Sequence, residues 1–251
     1  MLLNHSFSRY VLALLAGSVL LLAGGPDGAA QSRREEALSF QQAAGMQTVL
    51  LRGKQAARYD FPANGNPYWS SSGYRIGEIE VEGKRYFDVP FNIDAVTQRL
   101  LVRAGDSQVA VALPPSRVRA IDLGERHFRG IGPDGPLPEG FYEVFGNGPE
   151  QVFKNVSKSL NSSPDNVNGD LIGYRDPDYR TDVSRYFAIR RSYYFRDADG
   201  GFRRVKGKSA LLRCLGPRKK DVRQALRASG ADLSRMDFDL YCQTVLDLVS
   251  R

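Results

Sequence analysis

From Gly77 onward, apolar and polar residues alternate. In "EIEVEG", Ile79 and Val81 share one face while Glu78, Glu80 and Glu82 share the other; after a turn at Gly83-Lys84, Phe87, Val89, Phe91 and Ile93 recur at every second position. A period of two is that of a half-buried β-strand, and two such runs around a glycine turn predict a hairpin. Pro90 lacks a backbone donor, so this strand is predicted to lie at an edge or to be bulged there. Similar runs follow at 99–103, 108–113 and, alternating less cleanly, 117–123. Two further hairpins are expected: 141–145 with 151–156 around Gly146 to Pro149, and 185–195 with 201–206 around Asp199-Gly200, a strong hairpin-turn pair. "TVLLR" at 48–52 reads as one more short β-prone run, and residues 161–184 as a long polar loop.

The period changes near the C-terminus. Ser209 to Leu215 suits a short helix, and Gly216-Pro217 breaks it. Pro217 fits the first position of a second helix, which runs to about Ser229 and stops at Gly230. Ser234 with Asp237 resembles a capping box, and Phe238, Tyr241, Val245 and Val249 form an apolar stripe at helical spacing. The pattern predicts an α+β fold. Its core is an antiparallel β-meander in a curved or partly closed sheet, and C-terminal helices cover one end.

At the other end, Arg9 precedes the apolar run Val11 to Ala23, followed by Gly24, Gly25, Pro26 and the small residues Gly28, Ala29 and Ala30. That order is the order of a secretory signal peptide, with Ala30–Gln31 the expected cleavage point. The run, about 13 residues or roughly 20 Å of helix, is too short for about 30 Å of hydrocarbon. The expected organisation is a signal peptide over 1–30, a partly flexible N-terminal segment over 31–63, an antiparallel β domain over 64–206 and a helical tail over 207–251 packed on it. The protein is therefore expected to be exported, to the periplasm or beyond, with no transmembrane helix in the mature chain.

Composition narrows the chemistry. The 251 residues carry 35 Lys and Arg against 28 Asp and Glu, a net charge of +7, with 42% hydrophobic residues. These proportions are ordinary for a folded chain and exclude disordered, collagen-like and disulfide-dense classes. Beyond the signal region there are one histidine, His127, and two cysteines, Cys214 and Cys242. In an oxidising compartment the pair suggests one disulfide across the tail. Two cysteines and one histidine make a poor zinc set, so no metal and no cofactor are expected. His127 has no Gly-x-Ser-x-Gly elbow to serve and reads as a solvent-facing strand or loop residue. The Asp- and Asn-rich stretch from Asp165 to Asp178 fails the EF-hand template: counted from Asn166 the glycine position falls on Leu171 and the twelfth on Pro177, and counted from Asp165 the third falls on Val167. No catalytic residue can be nominated.

"NPYW" followed by "GEIEVEGKRYFDVPFNIDAVTQRLLVR", then "GFYEVFGNG…VFKNVSKSL" and a closing "YYF…DG" strand pair before the basic helix, resembles a family of uncharacterised secreted proteins common in Bacteroidetes-type bacteria. The likeness covers most of residues 64–251. It implies export and this architecture, and brings no activity with it. Trp69 and the Arg-rich strands depart from the family pattern.

Charge is unevenly spread. Residues 185–227 hold 14 Lys and Arg against three acids, with tyrosines interleaved among the arginines. Arg190, Arg191, Arg203 and Arg204 are the candidate contacts for an anionic envelope polymer or lipid headgroup; no nucleic-acid partner is expected. The reading is an exported, non-catalytic cell-envelope protein that binds an anionic surface or polymer. The alternative is a carboxylate-dependent hydrolase of envelope polymers, which would need two carboxylates across a cleft.

Overall fold

The computed structural model describes residues 26–45, 48–103, 109–162, 185–230 and 232–250. The expected signal segment up to residue 25 and most of the long polar loop, with Asp165 to Asp178, lie outside these residues.

Eleven strands form one sheet, and every strand pair is antiparallel. They are β1 (Lys54–Gln55), β2 (Arg75–Val81), β3 (Lys84–Asp94), β4 (Arg99–Arg103), β5 (Ala110–Leu113), β6 (Val118–Leu123), β7 (Arg126–Ile131), β8 (Gly140–Phe145), β9 (Gln151–Ser162), β10 (Arg185–Arg196) and β11 (Phe202–Val205). The spatial order is β1-β5-β4-β3-β2-β6-β7-β8-β9-β10-β11. The sheet is open and, contrary to a simple meander, not strictly sequential. β6 returns to pair with β2, four strands away from β5.

That return curls the sheet. Four interstrand steps span about 19 Å on a flat sheet. Only Pro114 to Arg117 connect β5 to β6, and Pro115–Arg117 is a 3-10 turn. Even fully extended, such a link reaches about 17 Å, and a 3-10 turn rises only about 2 Å per residue. The strands between β5 and β6 must therefore wrap around. They enclose a core of Ile79, Val81, Tyr86, Val89, Phe91, Ile93, Leu100, Val102, Leu113 and Ile121, joined by Phe128, Phe141 and Val156 from β7, β8 and β9.

Local chemistry explains the joints. Glu82 (φ 50°) and Gly83 (φ 78°) both adopt positive φ at the β2–β3 turn, the geometry that matches strand twist in a two-residue hairpin. The turn thus falls one residue earlier than Gly83-Lys84. β3 bulges around Asp88 (φ 53°), since Gly77 pairs with Val89 but Ile79 with Tyr86. Pro90 lies just beyond this bulge, on a stretch that β4 does not reach, since β4 pairs only with Phe91 to Asp94. Its missing donor therefore leaves no ladder bond unmade.

The free stretch of β3 is covered by helix α1 (Pro26–Ala44). Its sequence is rich in Ala, Glu, Arg and Gln, strong helix formers, and it stops at Gly45 (φ 48°). Gln41 accepts from Phe87 N (2.8 Å) and donates to Phe87 O (3.0 Å), standing in for a missing strand partner. Arg34 adds an ion pair to Asp88 at 2.8 Å. The N-terminal segment expected to be partly flexible thus begins with a docked helix, and the expected cleavage point Ala30–Gln31 lies within it. The β-prone run at 48–52 is a 3-10 turn, Val49–Leu51, rather than a strand. It has no strand partner; Leu50 is buried in the core, and Arg117 bonds the carbonyls of Val49 and Arg52.

The tail forms α2 (Lys208–Cys214), α3 (Lys219–Ala228) and α4 (Phe238–Val249). Asp237 is the N-cap of α4, accepting from Leu240 N at 2.9 Å, so it is not the third residue of a box begun by Ser234. Ser234 instead closes a local turn on Asp232. Leu211, Leu215, Val222, Leu226, Tyr241, Val245 and Leu246 pack on Val152, Phe195 and Val205 of β9, β10 and β11. The helices cover one end of the long β9–β10 hairpin, while Val156 on the same face of β9 reaches the curled core.

Candidate functional site

An open cleft of about 520 Å³ is lined chiefly by the irregular chain between β1 and β2 together with the ends of β4, β5 and β10. Five aromatic rings face it: Tyr59, Phe61, Tyr68, Tyr74 and Phe187. Tyr59 meets Phe61 and Phe187 edge to face, with centroids 6.1 and 5.7 Å apart. Arg103 lies 3.8 Å above the Tyr74 ring, close enough for a cation–π contact. Arg58 also lines the cleft, and Arg185 stands 5.0 Å over Phe61.

The loop is anchored so that these rings stay in place. Trp69 N donates to Ile93 O (2.8 Å) and Ala95 N to Pro67 O (2.8 Å), making the "NPYW" segment a short companion of the β3 end. The Trp69 indole is buried edge-on against Phe128. Asp94 is buried, and its carboxylate accepts from Val96 N, Thr97 N and the Tyr59 hydroxyl at 2.8, 3.0 and 2.8 Å. Burial, and then that bond to Asp94, push the Tyr59 phenol well above its usual range. Asp94 is thus committed to the turn, and the acid facing the cleft is Asp60. Two carboxylates across this cleft, as the hydrolase alternative needs, are not among its lining residues.

Beneath the loop, Lys158 is buried and donates to Asn66 O (2.8 Å) and Asn66 Oδ1 (3.2 Å). Burial, helped by nearby Arg191, brings its pKa down to about 8 from 10.5. Between these values the unfolded chain holds a proton that the folded protein lacks, so stability rises with pH across that window. Tyr59, Tyr142 and Tyr193 act oppositely. Burial raises their pKa values, so from about pH 10 the unfolded chain loses protons that the fold retains. The buried thiols of Cys214 and Cys242 also oppose Lys158 from about pH 9, so the urea midpoint should climb between about pH 8 and pH 9, level off, and fall beyond about pH 10. Lys158→Gln should flatten the climb; an unchanged climb in that variant assigns the effect to another group.

A second polar cluster joins the tail to the sheet. Arg126 Nε meets Glu143 Oε1 at 2.6 Å, Lys154 Nζ meets Glu143 Oε2 at 3.4 Å and also Asp239, and the Tyr193 hydroxyl donates to Asp239 Oδ1 at 2.7 Å. Glu143 and Lys154 are both buried. Each charge has an opposite partner, so the cluster reads as a clamp of α4 on β8, β9 and β10.

The four arginines singled out from sequence do not share a surface. In the β10–β11 register Tyr194 faces Arg204 and Phe195 faces Arg203. Side chains alternate along a strand, so Arg190 and Arg204 lie on the outer face while Arg191 and Arg203 lie on the helix-covered face. Arg203 is further engaged by the Cys214 carbonyl (3.0 Å), by Asp197 (3.6 Å) and by the Phe195 ring. Cys214 and Cys242 are free thiols; the expected tail disulfide is not formed in this structure. Burial raises both thiol pKa values, most for Cys242, which is fully enclosed by the helices. An inert packing role fits such a thiol.

His127 is exposed, with Nδ1 2.6 Å from Asp122 Oδ1 across the β6–β7 pair. Glu78, Glu80 and Glu82 each meet an arginine: Arg85 at 3.8 Å, Arg119 at 3.1 Å and Arg117 at 2.5 Å. Among the described residues no cluster of three or more His, Cys, Asp or Glu could hold a metal, and no helix is long and apolar enough to cross a membrane.

Sequence patterning missed the cleft because the chain from 56 to 74 has no periodicity. Its usable signal was compositional: five aromatics, Tyr59, Phe61, Tyr68, Trp69 and Tyr74, within a turn-rich stretch. Loops so rich in rings must bury them or present them to something.

No protein-family model, no curated protein and no solved structure matches the chain.

Proposed function

We propose that this is an exported, non-catalytic cell-envelope protein that binds an acidic polymer, such as a uronic-acid glycan, in the aromatic cleft. The observation that carries this reading is the pair of cations, Arg58 and Arg103, lining one open cleft among five aromatic rings, with Arg185 stacked over one of those rings, Phe61. Rings stack on the apolar faces of sugars, and guanidinium groups pair with carboxylates in a planar, two-pronged geometry. A net charge of +7 steers polyanions towards the protein, and an open cleft admits a chain segment as well as a chain end. The outer-face arginines Arg190 and Arg204 extend the attraction beyond the cleft without sharing its geometry.

Calorimetric titration with polygalacturonate, with neutral dextran as control, tests this. Affinity for polygalacturonate should fall steeply between about 50 and 200 mM salt, as counterion release requires. Tyr74→Ala and Arg58→Gln should each weaken it by about fivefold or more. Equal binding of dextran, indifference to salt, or wild-type affinity in both variants overturns the reading.

A further inference from the structure

A second cavity, of about 340 Å³, lies between α1, the 3-10 turn at 49–51 and the bulged stretch of β3. Among the described residues three buried side-chain polar atoms have no hydrogen-bond partner: Thr48 Oγ1, Tyr86 Oη and Arg103 Nε. All three residues line this one cavity. Buried polar groups are nearly always satisfied, because each orphan forfeits its bond to water without replacement. Thr48 and Tyr86 are only 6% and 1% exposed, so solvent at the surface does not serve them. The Leu50 backbone stands close to the Tyr86 oxygen and favours its charged form, the sense of a donor to that oxygen, so the proton of the hydroxyl itself remains to be given.

All three atoms carry hydrogens to donate, and one belongs to a cation. The remaining walls include Leu50, Leu51, Val89 and Pro90, which are apolar. The acid at the rim, Asp88, is taken by Arg34, whose Nη2 donates to both carboxylate oxygens at 2.8 and 3.1 Å. What the cavity lacks is therefore an acceptor with negative charge on an apolar body. We propose that it binds a small apolar carboxylate of the fatty-acid type. One carboxylate oxygen accepts from Arg103 Nε, the Tyr86 and Thr48 hydroxyls donate to the same carboxylate, and the hydrocarbon lies against Leu50, Leu51 and Val89. The site is separate from the aromatic cleft, although Arg103 stands between the two and lines both.

Octanoate is the probe, and octanamide, nearly identical in shape but uncharged, is the control. Calorimetry on the full mature chain should give octanoate at least tenfold tighter than octanamide, since charge-assisted hydrogen bonds are about twice as strong as neutral ones. Tyr86→Phe and Thr48→Val should each weaken octanoate by about three- to tenfold. Both variants should fold, with unliganded unfolding midpoints equal to or above wild type, because each removes an orphaned polar atom. Arg58→Gln, a change confined to the aromatic cleft, should leave octanoate affinity unaltered. Octanamide binding as tightly as octanoate, no binding of octanoate, or wild-type affinity in both cavity variants overturns the proposal. Weakening by Arg58→Gln also overturns it, by assigning the ligand to the cleft, whereas loss of polygalacturonate binding alone bears only on the cleft.

Discussion

Lys154→Ala is expected to destabilise the fold by about 3 kcal/mol, the cost of removing one member of a buried charge cluster. Lys154 and Glu143 are both under 10% exposed, and Lys154 bridges Glu143 on β8 to Asp239 in the first turn of α4. Without it, Glu143 keeps only Arg126, and Asp239 keeps the Tyr193 hydroxyl. Much of the loss is the burial of a carboxylate with too few partners, not the worth of the bond itself. Pairing Lys154→Ala with Glu143→Ala should thus cost less than the sum of the single changes, with a coupling of about 1 kcal/mol or more. Urea unfolding of the four species measures this. A single-variant loss under about 0.5 kcal/mol would mean that the cluster behaves as an exposed ion pair.

The second large effect is expected at Gly130 on β7. A Cβ there would collide with the backbone carbonyl oxygens of Val118 and Pro115, atoms that no side-chain rotation can move aside. This is where the short β5–β6 link passes over β7, so the glycine is needed for close approach rather than for its φ. Gly130→Val should force the link outward and cost about 3 kcal/mol, the upper range for overpacking. Val at Gly124, where a Cβ meets nothing within 4 Å but φ is 62°, makes an instructive comparison. It should cost about 1 kcal/mol or somewhat more, from backbone strain alone. Thermal or urea unfolding of both variants checks the order, and an equal or smaller loss at Gly130 would show that the link yields easily.

Which residues would be strand or helix was largely readable. The alternation at 77–93 became β2 and β3, the Asp199-Gly200 turn joined β10 to β11, and the apolar stripe from Phe238 to Val249 became the buried side of α4. The failures share one cause. "TVLLR" has strand composition but no neighbouring strand to pair with, so it coils into a 3-10 turn against the core. The arginines at 190, 191, 203 and 204 are close in sequence, yet the pleat separates neighbours onto opposite faces. Cysteine number alone suggested a bond, whereas the structure keeps both thiols free.

Periodicity is a property of a few consecutive residues, because each side chain's face follows from the rise and twist of its own segment. The sequence by itself therefore determined the strand and helix content, the main hairpin turns and the α+β class. The return of β6 to β2, the curling it enforces, the docking of α1 on the free stretch of β3 and both cavities were decided only in the tertiary structure. Each depends on residues far apart in the chain burying surface together: Gln41 with Phe87, Tyr59 with Asp94, Lys154 with Asp239. No local pattern encodes such a meeting, since its free energy comes from contacts that exist only once the chain has closed on itself.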